Sequence, residues 1–294
     1  MTKIVVIAGP TASGKSDLAI SVAQRFNGEI VSADAMQIYR GLDIGTAKVT
    51  KAERELVPHH LIDIVDMTDK FSVAEFVTRA DQVINDIAKR GKLPVIAGGT
   101  GFYVKALLGQ QPLDFVASDE AEVALLKQKS LPALGTMLKA ADTILASRVD
   151  LNNKQRVIRA IQIAMHGKRQ EDISRPTYDA LIVGIDWPRE ILYERINRRA
   201  QKMLDDGLLS EVEHIMSVGG ESIQAGKAIG YKEFFPYIRG EVTREQALLA
   251  VQQNSRRYAK RQLTYLRHQI PGLIWLHGTD AATKLTSEVK AWLD

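Results

Sequence analysis

Eight consecutive residues, Gly9-Pro10-Thr11-Ala12-Ser13-Gly14-Lys15-Ser16, satisfy G-x-x-x-x-G-K-[ST], the spacing of a phosphate-cradling P-loop. The chemistry follows from the residue types. Glycines let the backbone curl until successive N–H groups converge on an anion, and the helix that starts at Ser16 adds its positive end. Lys15 brings a full charge, and the Ser16 hydroxyl can ligate Mg²⁺. An apolar run, Ile4 to Ile7, precedes the motif as a strand should. The motif leaves open which phosphorylated molecule is bound.

Two further residues have types and positions that suit chemistry. Asp34 lies just past the predicted strand Glu29–Ser32, at the strand end where ligands of open parallel sheets bind. A carboxylate there can act as a general base or as a Mg²⁺ partner, and equally as a helix cap. Thr100 lies within Gly98-Gly-Thr-Gly101, where three glycines in four positions suggest close backbone approach to a ligand; a strand-to-helix turn capped by Thr reads the same way. The strand Val95–Ala97 ends in glycine rather than aspartate, which argues against an ATP-hydrolysing motor. His59 and His60 lack a third ligand at metal-binding spacing and read as structural.

Charge is distributed unevenly. The chain carries 39 Lys+Arg against 35 Asp+Glu, a net +4 that decides little by itself. Lys154 to Lys168-Arg169, the helix bearing Arg195, Arg198 and Arg199, and Ala247 to His268 are the basic blocks. The last holds Arg256, Arg257, Lys260, Arg261 and Arg267 with Tyr258 and Tyr265 interleaved, and no acid. Such blocks fit a polyanion better than a merely solvated face. The absence of cysteine removes disulfides, thiolate metal sites and cysteine nucleophiles. No apolar run approaches a membrane span, and the first residues lead straight into the P-loop strand; the expectation is a cytoplasmic protein without membrane association.

The elements that must position these residues alternate strand with helix up to Leu108, which predicts a parallel sheet covered on both faces. Helices are expected over Ser16–Phe26, from a Ser72 cap with Glu75 three residues on to about Arg90, and through Leu108. A short strand is expected over Leu61–Val65, and an irregular connection over Gly41–Pro58. From Asp114 to Arg175 only helical periodicity is found, with Val123, Leu125, Leu126, Leu134, Met137, Leu138, Ile144 and Leu145 as its apolar positions. Strand character returns at Ala180–Asp186. Helices follow over Arg189–Asp205, Leu208–Val218 and Arg244–His268, then a strand at Leu273–Leu276 and a terminal helix. The fold class is therefore α/β, a P-loop sheet with an inserted all-helical subdomain. Its parts are 1–113 and 180–294 for the core and 114–179 for the insertion.

An ordered set of stretches resembles the bacterial-type tRNA dimethylallyltransferases (tRNA isopentenyltransferases) over nearly the whole chain. They are Gly9–Ser16, Ser32-Ala-Asp-Ala-Met-Gln-Ile-Tyr-Arg-Gly-Leu-Asp-Ile-Gly-Thr-Ala-Lys48, Val57–Asp63, Gly98–Tyr103, Gln155–Ala160, Ala228–Lys232 and Lys260–Arg267. The resemblance implies transfer of a dimethylallyl group from dimethylallyl diphosphate to N6 of the adenosine immediately 3′ of the tRNA anticodon, releasing diphosphate. It implies that Gly9, Pro10, Thr11, Ala12, Ser13, Gly14, Lys15 and Ser16 hold the diphosphate, with Mg²⁺ at Ser16. Asp34 takes the general-base position, Thr100 its partner position at the adenine amine, and Lys15 and Arg199 positions on the diphosphate. The implied contacts with the tRNA anticodon stem-loop are Asp34, Ala35, Met36, Gln37 and Thr100; Gln155, Arg156, Val157, Ile158 and Arg159; Lys227, Gly230, Tyr231 and Lys232; and Lys260, Arg261, Gln262 and Arg267. The helical insertion would close on that stem-loop, and the enzyme would act as a monomer. Ala35, Asn153 and Tyr265 depart from the family's usual Ser, Asp and Trp, which bears on fine tRNA contacts. Two other classes compete: an adenylate-kinase-like small-molecule kinase that uses the loop for ATP and the insertion as a lid, and a nucleotide-gated RNA-binding protein.

Overall fold

Ile4 to Ala8 are each at most 1% exposed, because this run is the central strand of a sheet with both faces covered. In the computed structural model, which describes residues 1–111, 113, 119–167 and 175–294, β1 (Thr2–Ala8) pairs with β4 (Leu93–Gly98) on one side and β5 (Tyr178–Asp186) on the other. Beyond β4 lie β2 (Gly28–Ser32) and then β3 (His59–His60); beyond β5 lies β6 (Ile274–His277). The order β3-β2-β4-β1-β5-β6 is parallel throughout. All C-terminal strand ends therefore share one edge, and the loops after β1, β2 and β4 emerge side by side.

Two compact units are present, Met1–Gln111 with Pro176–Asp294, and Pro112–Arg175. In the first, α1 (Lys15–Arg25) and α13 (Ala281–Leu293) cover one face through Ala19, Ala23, Leu285 and Val289. α3 (Val73–Lys89), with its Ser72/Glu75 capping box, packs on β2, β4 and α4 (Gly101–Leu107). α9 (Arg189–Asp205) packs against α12 (Arg244–Gln269), and α10 (Leu208–Val218) follows α9 after Gly207, whose φ of +105° favours glycine. In the second unit, α5 (Glu120–Gln128), α6 (Leu131–Ala141), α7 (Thr143–Arg148) and α8 (Lys154–His166) share a core of Leu126, Leu134, Leu138, Val157 and Ile161. Asp114, Lys168 and Arg169 lie outside the described residues.

Several sequence expectations are corrected. The strand expected at Leu61–Val65 is instead His59–His60, paired with Ile30 and Val31. Leu61 and Asp63 adopt φ of +60° and +56°, which a strand does not accept. The cause is long-range. The buried ammonium of Lys48 bonds Asp63, Asp43 and the Tyr39 carbonyl at 2.6, 2.6 and 2.8 Å, and folds the segment around itself. The connection Gly41–Pro58 is not wholly irregular, since a Thr50/Glu53 capping box starts α2 (Lys51–Leu56). β5 starts at Tyr178, two residues before the expected strand. Leu125 and Ile144, expected in the insertion's core, are 64% and 56% exposed.

Candidate active site

The P-loop joins β1 to α1, and its backbone is held from outside. Arg195 Nε donates to Ala12 O at 2.8 Å, and Trp187 Nε1 donates to Ser13 O at 2.9 Å. The Arg195 guanidinium also lies over the Trp187 ring. The two hydrogen bonds brace the loop from outside, while inside it the Ser13 N–H donates to Pro10 O at 3.3 Å. Ala12 at φ +63° and Gly14 at φ +86° complete the curl. Gly9 has a packing reason as well: a Cβ there would meet Ser13 Oγ at 2.7 Å. Lys15 Nζ donates to Pro10 O at 3.3 Å. Burial pushes the Lys15 ammonium down to about 8, Arg199 adds to the effect, and Asp34 opposes it. Burial likewise lowers Arg199, against the pull of Asp34. Two cations brought together with one carboxylate leave an excess positive charge for an anion.

Asp34 and Thr100 meet because β2 and β4 are neighbours. The Ala33 N–H donates to Ala97 O at 2.8 Å, and the Ala35 N–H donates to Thr100 Oγ1 at 3.2 Å. Asp34 Oδ1 accepts from the Met36 and Gln37 N–H groups at 2.9 and 3.4 Å, which fixes the carboxylate in a turn. The Gln37 amide Nε2 donates to Thr46 O and Ala47 O, tying this turn to the next loop. Burial and the Asp34 charge push the phenol of Tyr258, on α12, up to about 12.

These residues line two cavities that share Thr11, Asp34, Thr46, Arg199 and Tyr258. Lys15, Ser16, Asp34, Arg199 and Tyr258 face a cavity of about 80 Å³. Asp34, Thr100 and Arg199 also face a cavity of about 470 Å³, whose apolar side is Ile196, Ala200, Met203 and Val251. Ile196, Arg199, Ala200 and Met203 share one face of α9 by helical spacing. Among the described residues no group of three His, Asp or Glu could hold a metal. The Ser16 hydroxyl and the Asp34 carboxylate do face the same small cavity, a donor set that suits Mg²⁺ only together with oxygens of a bound phosphate.

The expected RNA contacts divide into groups. Ala35, Met36, Lys227, Gly230, Tyr231, Lys232 and Arg261 line the larger cavity. Lys227, Lys232, Lys260 and Arg261 are exposed. Gln155, Arg156 and Arg159 line a groove on the second unit. The other residues do not offer free side chains. Val157 and Ile158 belong to the second unit's core; the apolar face of α8 must be buried, and motif position does not reveal which residues form it. Tyr231 is fully buried, with its hydroxyl on Glu211 at 2.8 Å. Gln262 is buried, and both ends of its amide bond backbone. Arg267 pairs with Asp186 at 2.6 Å and lies over Trp275. His60 Nε2 bonds the buried Glu29 carboxylate, and His59 Nδ1 the Val57 carbonyl.

Two positioning carboxylates escape sequence reasoning. Glu211, on α10, accepts from the N–H groups of Asp43, Ile44 and Gly45 at 2.8, 2.7 and 3.0 Å, as well as from Tyr231. Glu233 accepts from the Gly230 N–H at 2.9 Å and from Asn254 Nδ2 at 2.8 Å. Both hold loops that line the larger cavity, and neither lies in a motif that marks it. Glycine is required at position 45, where a Cβ would fall 2.4 Å from the Tyr231 ring.

Residues 37–269 match the family model described as IPP transferase. The chain is 99% identical, over the full length of both, to the tRNA dimethylallyltransferase of Leuconostoc citreum (strain KM20). A crystal structure of the full-length tRNA isopentenylpyrophosphate transferase from Bacillus halodurans aligns with 100% of this chain and 97% of that one, at 39% identity and a TM-score of 0.76. A eukaryotic dimethylallyltransferase acting on tRNA aligns with 99% of this chain and 78% of its own, at 28% identity and a TM-score of 0.83.

Proposed function

The chain belongs to the IPP transferase family and modifies tRNA by prenyl transfer; we propose that its donor is dimethylallyl diphosphate and its acceptor the N6 amine of the adenosine 3′ of the anticodon. One observation carries the assignment of roles: Lys15, Ser16 and Arg199 face the same small cavity as Asp34, which also faces the larger cavity beside Thr100. An anion-holding end and a base-bearing end thus meet.

An adenine amine is a poor nucleophile because its lone pair is delocalised into the ring. The Asp34 carboxylate accepts its proton as the C–N bond forms. The two backbone N–H groups on Oδ1 keep the carboxylate oriented, and Thr100 positions the amine. The allylic C–O bond to diphosphate breaks as the new bond forms, and negative charge gathers on the departing diphosphate. Lys15, Arg199 and the P-loop amides meet that charge where it develops. Mg²⁺, held by Ser16 and the diphosphate's own oxygens, would supply further neutralisation of the same charge. The target base must leave its stack to enter the cavity, at a cost of a few kcal/mol. Lys260 and Arg261 offset this by holding the RNA backbone, and the second unit contributes the groove of Gln155, Arg156 and Arg159.

Incubation of tRNA with isotopically labelled dimethylallyl diphosphate, or with labelled ATP, tests this reading against the kinase. Label entering tRNA only from the prenyl donor is expected. Label transferred from ATP, or none from the prenyl donor, overturns it.

A further inference from the structure

We propose that Gln262 is a positioning residue that fixes the distance between the leaving-group loop and the acceptor loop; the inference rests on the function proposed above. The hydrogen-bonded register of β1 with β4 extends to Ala8 opposite Gly98. Immediately beyond, the strands become the two loops that carry the P-loop and Thr100. Gln262 reaches between them from α12. Its Oε1 accepts from the Thr11 N–H at 2.9 Å, and its Nε2 donates to Gly99 O at 2.8 Å. A primary amide carries a donor and an acceptor on one rigid plane, so this side chain supplies the missing rung of the ladder.

Three observations make the rung specific. Gln262 is only 8% exposed, and its amide is committed to backbone groups, which leaves it unsuited to contacting RNA. A Cβ on Gly99 would lie 2.4 Å from Gln262 Nε2 and 3.2 Å from Gly9 O. Glycine at 99 therefore makes room for the strut, whereas the sequence suggested room for a ligand. Tyr258 of the same helix lines both cavities with Asp34, and Thr100 Oγ1 takes the Ala35 N–H. Gln262 thus ties Thr11 to Gly99, and the neighbouring Thr100 ties the same loop to Ala35, the residue beside Asp34. Transfer needs the reacting atoms at near-attack separation, and a shift of about 1 Å from a remote change can lower the rate about 100-fold.

The test is steady-state transfer from dimethylallyl diphosphate to an anticodon stem-loop RNA, together with amide exchange at Thr11. Gln262→Met keeps the side chain's length and removes both bonds. We expect kcat to fall about 100-fold while KM for either substrate changes by less than about threefold, with Thr11 exchanging about fivefold faster. A raised KM for RNA with kcat retained would return Gln262 to an RNA contact, and an unchanged kcat would end the proposal. Should Gln262→Met fail to fold, Gln262→Glu, which keeps the Thr11 acceptor but loses the Gly99 donor, must show the same kcat–KM split. Wild-type enzyme inactive with this donor overturns the function proposed above; the strut is then judged by Thr11 exchange, and equal protection in wild type and variant refutes it.

Discussion

At the scale of single residues, the site is a balance of charges held close together. Lys15 at about 8 is shifted mainly by burial, with help from Arg199. The role proposed for Lys15 requires diphosphate to bind the ammonium form, and that form is lost from the free enzyme as pH rises through 8. The dissociation constant for inorganic diphosphate should then rise up to about tenfold per pH unit, with one proton taken up on binding. Calorimetry in two buffers of different ionisation enthalpy measures both effects; a flat constant and no proton uptake would remove Lys15 from the anion. Asp34→Asn should nearly abolish transfer while tRNA affinity stays within several-fold, since the amide retains the shape but accepts no proton. Wild-type turnover in that variant would remove Asp34 from the proton transfer. Arg199→Ala should raise the barrier by ~3 kcal/mol, read as kcat/KM for the donor.

At the scale of elements, helices α9, α10 and α12 supply what the sheet edge lacks. α10 matters through one side chain. Glu211→Ala leaves three N–H groups and the Tyr231 hydroxyl without an acceptor, at roughly 1–3 kcal/mol for a buried donor left unsatisfied. The loop 43–48 should lose amide protection well before the sheet does, which hydrogen exchange resolves; uniform loss across the fold would make Glu211 a general stabiliser. On α12, Lys260 and Arg261 are adjacent exposed cations without a carboxylate partner among the ion pairs of the described residues. Their joint replacement by Ala should lower the slope of log K against log salt for tRNA by about 1.5. An unchanged slope would make them a solvated face. These element-scale assignments were only partly legible in the sequence. The acid-free block predicted the basic helix, but not that Arg267 would be neutralised by Asp186 or Gln262 buried.

At the scale of the whole molecule, the first unit is closed at the opposite end of β2 by Glu29, which is 2% exposed. Arg90, Lys92 and His60 bond its carboxylate and hold it far below the usual carboxylate range, against the opposing effect of burial. A depressed folded-state pKa contributes stability that is present above the unfolded value and is lost as pH falls below it. Glu29→Gln should therefore narrow the difference in melting temperature between neutral and acid pH. An unaltered pH dependence would mean that the cluster contributes nothing to acid sensitivity.

The sequence by itself determined the strand–loop–helix around Gly9–Ser16 and the helices with strong caps, such as Ser72/Glu75 before α3. It also determined that the chain alternates strand and helix around a helical segment. Each of these depends on a few adjacent residues: a glycine pattern, a capping pair, a period of apolar positions. Its motifs also named Asp34 and Thr100, and the family resemblance named Arg199, without showing that they meet. That required the strand order, which puts β4 between β2 and β1 and brings Asp34, Thr100 and the P-loop to one edge. Tertiary structure also decided that Lys48 turns an expected strand into a left-handed bend, that Val157 and Ile158 face a core, and that Glu211 and Gln262 brace loops. The physical reason is the same throughout. A hydrogen bond or ion pair between residues separated by 15 to 251 positions leaves no local periodicity to read, and it forms only once the sheet has brought its partners together.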